Sequence, residues 1–107
     1  MIQLPFRKYP HFTYDIFIDT KTYRFEFKWN ARGEYWLMNI LTTEDVIIVS
    51  GVKLVLNYGL LSDYKYLDVP QGDLFVVDIT NNLSKIGYED FTNERQLAFL
   101  YFVEGEL

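Results

Sequence analysis

Tyr23-Arg24-Phe25-Glu26-Phe27-Lys28-Trp29-Asn30 places a large ring on every odd position and a polar side chain on every even one. Successive side chains of a strand point to opposite faces, so this spacing predicts a strand with one dry face and one wet face. A helix would scatter the four rings around its circumference, and aromatic bulk favours the pleated, half-buried surface of a sheet. Asn30-Ala31-Arg32-Gly33-Glu34 follows, with one glycine among polar side chains, and reads as a hairpin connection. Beyond it lies Tyr35-Trp36-Leu37-Met38-Asn39-Ile40-Leu41, an almost wholly apolar run suited to a buried strand. Tyr23, Phe25, Phe27, Trp29 and Trp36 are therefore the expected core.

Working outward, Ile2 to Phe6 reads as a short first strand closed by Pro5, which has no ladder donor and suits a strand end or edge, and by the polar pair Arg7-Lys8. Phe12 to Asp19 resumes extended structure, with Phe12, Tyr14, Ile16 and Ile18 on one face and Thr13, Asp15, Phe17 and Asp19 on the other. Its short connection to Tyr23 makes the first hairpin. Val46 to Ser50 is β-branched at nearly every position, which stiffens the side chains and disfavours helix. Gly51 predicts a bulge or bend before a further strand at Val52 to Leu56. A corner loop follows, with at most one helical turn at Leu60 to Tyr64, and then a short strand at Tyr64 to Leu67. Pro70-Gln71-Gly72-Asp73 is turn chemistry ahead of a strand at Leu74 to Ile79. Gln96 to Val103 reads as the last strand. The expectation is an all-β, single-domain antiparallel sandwich or small barrel of about eight strands, spanning 1–107.

Composition narrows the function. With 107 residues there is room for one core but not two. The absence of cysteine excludes disulfides, thiolate catalysis and cysteine-based zinc sites. A formal net charge of −5, with dispersed cations, repels phosphates and anionic lipid, so neither nucleic acid nor membrane is an expected partner. No apolar run has the length of a membrane span and no signal-peptide pattern opens the sequence, so synthesis and retention in the cytoplasm, or assembly from there, is expected.

Candidate chemistry is sparse. His11 is the single histidine and has no partner constellation for general-base or zinc chemistry, so a surface or turn role fits it better. Asp68-Val69-Pro70-Gln71-Gly72-Asp73 gathers two carboxylates and a glycine, but lacks the alternating oxygen ligands of an EF-hand loop. A small enzyme built on this loop is the weakest reading. The glycines are isolated from any strand-to-helix phosphate motif, and Ser50, Ser62 and Ser84 have no nucleophile-elbow context. Asn82-Leu83-Ser84 matches a glycosylation sequon that has no export signal beside it. No catalytic, metal or cofactor residue is expected. An OB-like module gripping single-stranded nucleic acid or carbohydrate through exposed strand aromatics is the alternative. Against it, Arg24 and Lys28 lie on the face opposite the rings.

What remains is aromatic surplus: nine Tyr and nine Phe in so small a chain. Tyrosine suits interfaces, because its ring can be buried while its hydroxyl finds water or a partner. Tyr9, Tyr14, Tyr58, Tyr64, Tyr66 and Tyr88 are the interface candidates, with Phe17 on the polar face of its strand.

Tyr23-x-Phe25-x-Phe27-x-Trp29-Asn30, then Trp36-x-Met38-Asn39-Ile40, then Gly51-Val52-x-Leu54-Val55 resembles, in this order, the small baseplate plug proteins of tailed phages and prophages. Leu60-Leu61, Tyr64, Gly72-Asp73-Leu74, Tyr88-Glu89-Asp90-Phe91 and Leu97 to Tyr101 continue the likeness along nearly the whole chain. Its most specific part is the Trp29-Asn30 hairpin followed by Trp36. The resemblance implies a non-catalytic virion component of a contractile-type tail, made in the bacterial host cytoplasm and placed in the baseplate near the end of the tail tube. It also implies hub, tail-tube or other baseplate proteins as partners, and a homo-oligomer within the assembly.

Overall fold

The alternation in sequence becomes an alternation in burial across one four-stranded antiparallel sheet. Its strands are β2 (His11–Ile18), β3 (Lys21–Asn30), β4 (Tyr35–Leu41) and β5 (Ile47–Lys53), side by side in chain order. The computed structural model describes residues 2–4, 6, 9–18, 20–78, 87 and 98–104. A second, three-stranded antiparallel sheet is built from β1 (Ile2–Leu4), β6 (Gly72–Asp78) and β7 (Ala98–Glu104), in the order β1-β7-β6. Among the described residues the only helical element is a 3-10 turn at Ser62–Tyr64. Both sheets stay open, and their apolar faces meet in a single cluster, so the chain is a β-sandwich and not a closed barrel.

β3 organises that core. Tyr23, Phe25 and Phe27 are buried, while Arg24, Glu26 and Lys28 line the opposite face. Phe27 lies opposite Phe12 of β2 and Met38 of β4, and Phe25 lies opposite Tyr14 and Ile40. Each ring is thus clasped by an apolar cross-strand neighbour on both sides, the unit from which sheets gain stability. Trp36 is fully buried, and Phe6 reaches in to meet Phe27, Trp36 and Phe12 at ring separations of 4.7, 5.0 and 5.1 Å. Trp29, opposite Trp36, is half-buried and packs on the rim of the cluster. Leu74, Val76, Leu100 and Phe102 supply the facing layer from β6 and β7, with Leu4 from β1.

Local chemistry sets the turns. The Asn30 carbonyl accepts from the Glu34 N–H at 2.7 Å, and its side-chain oxygen accepts from the Gly33 N–H at 2.9 Å. A Cβ at Gly33 would stand 2.1 Å from the Tyr35 ring, so a larger residue there would have to displace that ring. Gly51 sits in a bulge, where Ser50 and Gly51 together oppose Asn39, and its φ of +74° is a conformation natural to glycine. The Asn39 side-chain oxygen accepts from the Gly51 N–H at 2.7 Å, which supplies the bulged donor with a partner.

Several expectations shift. The described strands number seven, because the run on either side of Gly51 forms one bulged strand, β5, and not two. Val46 precedes that strand. Leu54 to Leu56 leave it and cross to the other sheet, where Asn57 and Leu60 donate to the Val76 and Leu74 carbonyls at 2.9 Å each. Tyr64 to Leu67 is not a strand: its backbone follows the 3-10 turn, with Leu67 N–H donating to Tyr64 C=O at 2.9 Å. The helical turn itself is Ser62–Tyr64, inside the expected Leu60 to Tyr64. Asp19, Ile79 at the end of the expected strand Leu74 to Ile79, and Gln96 and Leu97 at the start of the expected last strand lie outside the described residues.

Candidate interaction surfaces

The outer face of the four-stranded sheet is laced by its own side chains. His11 Nε2 meets Glu26 Oε2 at 2.7 Å, Glu26 Oε1 accepts from Asn39 Nδ2 at 2.7 Å, and Asn39 in turn accepts from Gly51. That chain of hydrogen bonds crosses all four strands. A parallel row joins Asp15, Arg24 and Asp45, with Arg24 Nε to Asp15 at 2.8 Å and its Nη1 to Asp45 at 2.5 Å. The Asn39 amide, followed by the His11 imidazole, holds the Glu26 carboxyl below its ordinary range. Hydrogen bonding to Arg24 does the same for Asp15, while both carboxylates raise the guanidinium. His11 is thus an exposed residue of β2 that takes part in a structural network.

The carboxylates of the 68–73 loop have separate structural tasks. Asp68 pairs with Lys21 at 2.5 Å. Asp73 accepts from the Leu61 N–H and the Ser62 hydroxyl, both at 2.7 Å, fastening the loop onto β6. Among the described residues no group of three or more His, Asp or Glu side chains is positioned to share a metal ion. No helix of the described residues is long and apolar enough to cross a membrane.

The exposed apolar side chains are distributed around the rim. Of the interface candidates, Tyr66 is 81% exposed, Phe17 67% and Tyr9 63%, and Tyr58 is half exposed with its hydroxyl donating to Asp63 at 3.2 Å. Tyr14 and Tyr64 are half-buried and pack against the core. Tyr88 lies outside the described residues. Val46 and Ile47 are as exposed as Tyr9 and were not singled out from sequence. A β-branched run reads as buried, but Val46 precedes β5, and the register shift between the Ile40 and Leu41 pairings sets Ile47 opposite Leu41; unlike the bulge at Gly51, that shift leaves no mark in the sequence. Of the rings that base stacking by an OB-like module would need, Tyr23, Phe25 and Phe27 are enclosed in the core and Trp29 is half-buried at its rim.

A sandwich with an aromatic core, a self-satisfied polar face and apolar side chains around its rim is a building block in design. The chain belongs to the family described as cyanophage baseplate Pam3 plug gp18, which matches it over residues 1–105. It is a structural component of a phage baseplate. No curated relative matches the chain.

Proposed function

We propose that this chain is a non-catalytic plug of a contractile-type tail, phage or prophage in origin, that sits near the end of the tail tube and acts by protein–protein packing. Hub, tube or neighbouring baseplate proteins are its partners, and several copies assemble together. The observation that carries this reading is the family match over residues 1–105. Exposed Tyr9, Phe17, Tyr58 and Tyr66 support it, since large aromatic side chains are the usual anchors of contact surfaces. With Asp68 and Asp73 engaged by Lys21, Leu61 and Ser62, the loop weighed for catalysis has a structural account of its own.

The test is composition and assembly of purified tails. Mass spectrometry should find the chain in the baseplate, and deleting its gene should yield tails that fail to mature. Tails of normal composition and infectivity without it would overturn the reading.

A further inference from the structure

Four strand edges bound the two sheets, and three of them are guarded. β6 is covered by the Asn57 and Leu60 N–H groups, β1 is only three residues long, and β5 is broken by register shifts around Gly51. Natural sheets use such devices because a bare edge pairs with any strand it meets. Among the described residues β2 has none of them. It runs eight residues in unbroken register with β3, contains no proline, and pairs with no other strand among the described residues.

The polarity of that edge is fixed by the ladder. Pro10 C=O accepts from Trp29 N–H at 2.7 Å, in the same register as the β2–β3 pairs, so the even residues of β2 exchange hydrogen bonds with β3. His11, Thr13, Asp15 and Phe17 therefore aim their N–H and C=O groups away from the sheet. Their side chains, with that of Tyr9, are all exposed. Outward positions thus read aromatic, His, Thr, Asp, aromatic, which complements itself when reversed about Thr13.

We propose that β2 is a self-pairing edge, joining a second copy of this chain in antiparallel fashion with Thr13 on the two-fold axis. Tyr9 then faces the second copy's Phe17, and His11 faces its Asp15. About six main-chain hydrogen bonds form from positions 11, 13 and 15 of the two copies. The imidazole nitrogen that is not bound to Glu26 is available to the incoming carboxylate. On the inner face, Phe12 comes opposite the second copy's Tyr14. That pair lies beside the row in which Tyr14 stacks on Phe25, 6.4 Å apart and nearly parallel. Registers displaced by two residues lose both the His–Asp and the aromatic matches, and a displacement by four sets Asp15 against Asp15.

The inference deepens the packing reading and rests on its claim that copies assemble together. Sedimentation velocity over about a hundredfold range of concentration should show a monomer–dimer equilibrium. The cysteine-free chain permits a register test. Cα atoms of hydrogen-bonded antiparallel partners lie about 5.5 Å apart, within disulfide reach, so Thr13→Cys should cross-link under mild oxidation. Phe17→Cys should not, because its counterpart would lie roughly 27 Å away along the strands. Thr13→Lys, a change at an exposed position, should weaken the dimer about fivefold while leaving the circular dichroism spectrum unchanged. A chain monomeric at every concentration, or equal cross-linking at 13 and 17, overturns self-pairing. Such a chain present in purified tails leaves the plug reading standing, and a dimeric chain absent from tails sinks that reading alone.

Discussion

Replacing each tryptophan by alanine separates the centre of the core from its rim. Trp36 is fully buried, with ring centroids of Phe6, Trp29 and Phe12 at 5.0, 5.5 and 6.1 Å. Truncating a buried tryptophan costs about 3–5 kcal/mol, and three lost aromatic contacts put Trp36→Ala toward the top of that range. Trp29 is only half-buried and keeps one of those contacts, so Trp29→Ala should cost about 2 kcal/mol, near half the core value. Total stability for a chain of this size is about 5–15 kcal/mol, so urea denaturation should resolve both variants unless the parent lies at the low end. The chain has two tryptophans, so each variant leaves one reporter, and emission should lie further to the blue in Trp29→Ala than in Trp36→Ala. The double variant should reveal a coupling of about 0.5–1.5 kcal/mol between the paired rings. Finding Trp29→Ala as costly as Trp36→Ala would refute the placement of the core beneath β4.

Gly51→Ala tests the bulge: a Cβ there meets nothing within 4 Å, so the expected loss of about 1–2 kcal/mol is conformational and should register in Tm. Asp73→Ala orphans the Leu61 N–H and frees the Ser62 hydroxyl, and should destabilise by about 1–3 kcal/mol, whether or not calcium is present. Glu26 binds protons more weakly in the folded state than its ordinary value of 4.5 implies. Its contribution to stability should therefore be complete above pH 4.5 and be lost as the pH falls toward the depressed folded value. Glu26→Gln should flatten that part of the pH–Tm profile relative to the parent chain.

Strict alternation over Tyr23 to Trp29 carried the fold reading because a one-residue slip would send three buried rings into water. The hairpin at 30–34 was equally legible, since Asn30 and Gly33 state their turn chemistry locally. Val46 to Leu56 was harder: Gly51 was read as dividing two strands, Val46 to Ser50 and Val52 to Leu56, where one bulged strand spans Ile47–Lys53, and a run apolar on both faces hides which residues turn outward. β1 pairs with β7, Leu4 beside Leu100, a contact between the two ends of the chain that periodicity within either segment does not specify. Among interface candidates, the sequence separated Phe17 cleanly because it occupies the wet parity of β2. Tyr14 shared the apolar face of its strand with Phe12, Ile16 and Ile18, so parity already set it apart from Tyr66, and counting tyrosines as interface candidates overrode that signal: one stacks on Phe25 and the other stands in solvent.

The arrangement of polar and apolar surface bears on how a building block of this kind docks. A partner laid flat on the four-stranded sheet would have to compete with His11–Glu26–Asn39–Gly51 and Asp15–Arg24–Asp45, whose groups already satisfy one another. Burying those charges without new partners is unfavourable, so that face resists adventitious contact. Phe17, Val46 and Ile47 instead mark the end of the sheet where β2 finishes and β5 begins, and Tyr66 stands two residues from Asp68, which is tied to Lys21 at that same end. Contacts made there and along β2 bury apolar area and open hydrogen-bonding groups without dismantling the network. On the proposed packing role, the side chains that lace the outer face of the sheet would leave its edge and its end as the surfaces open to association.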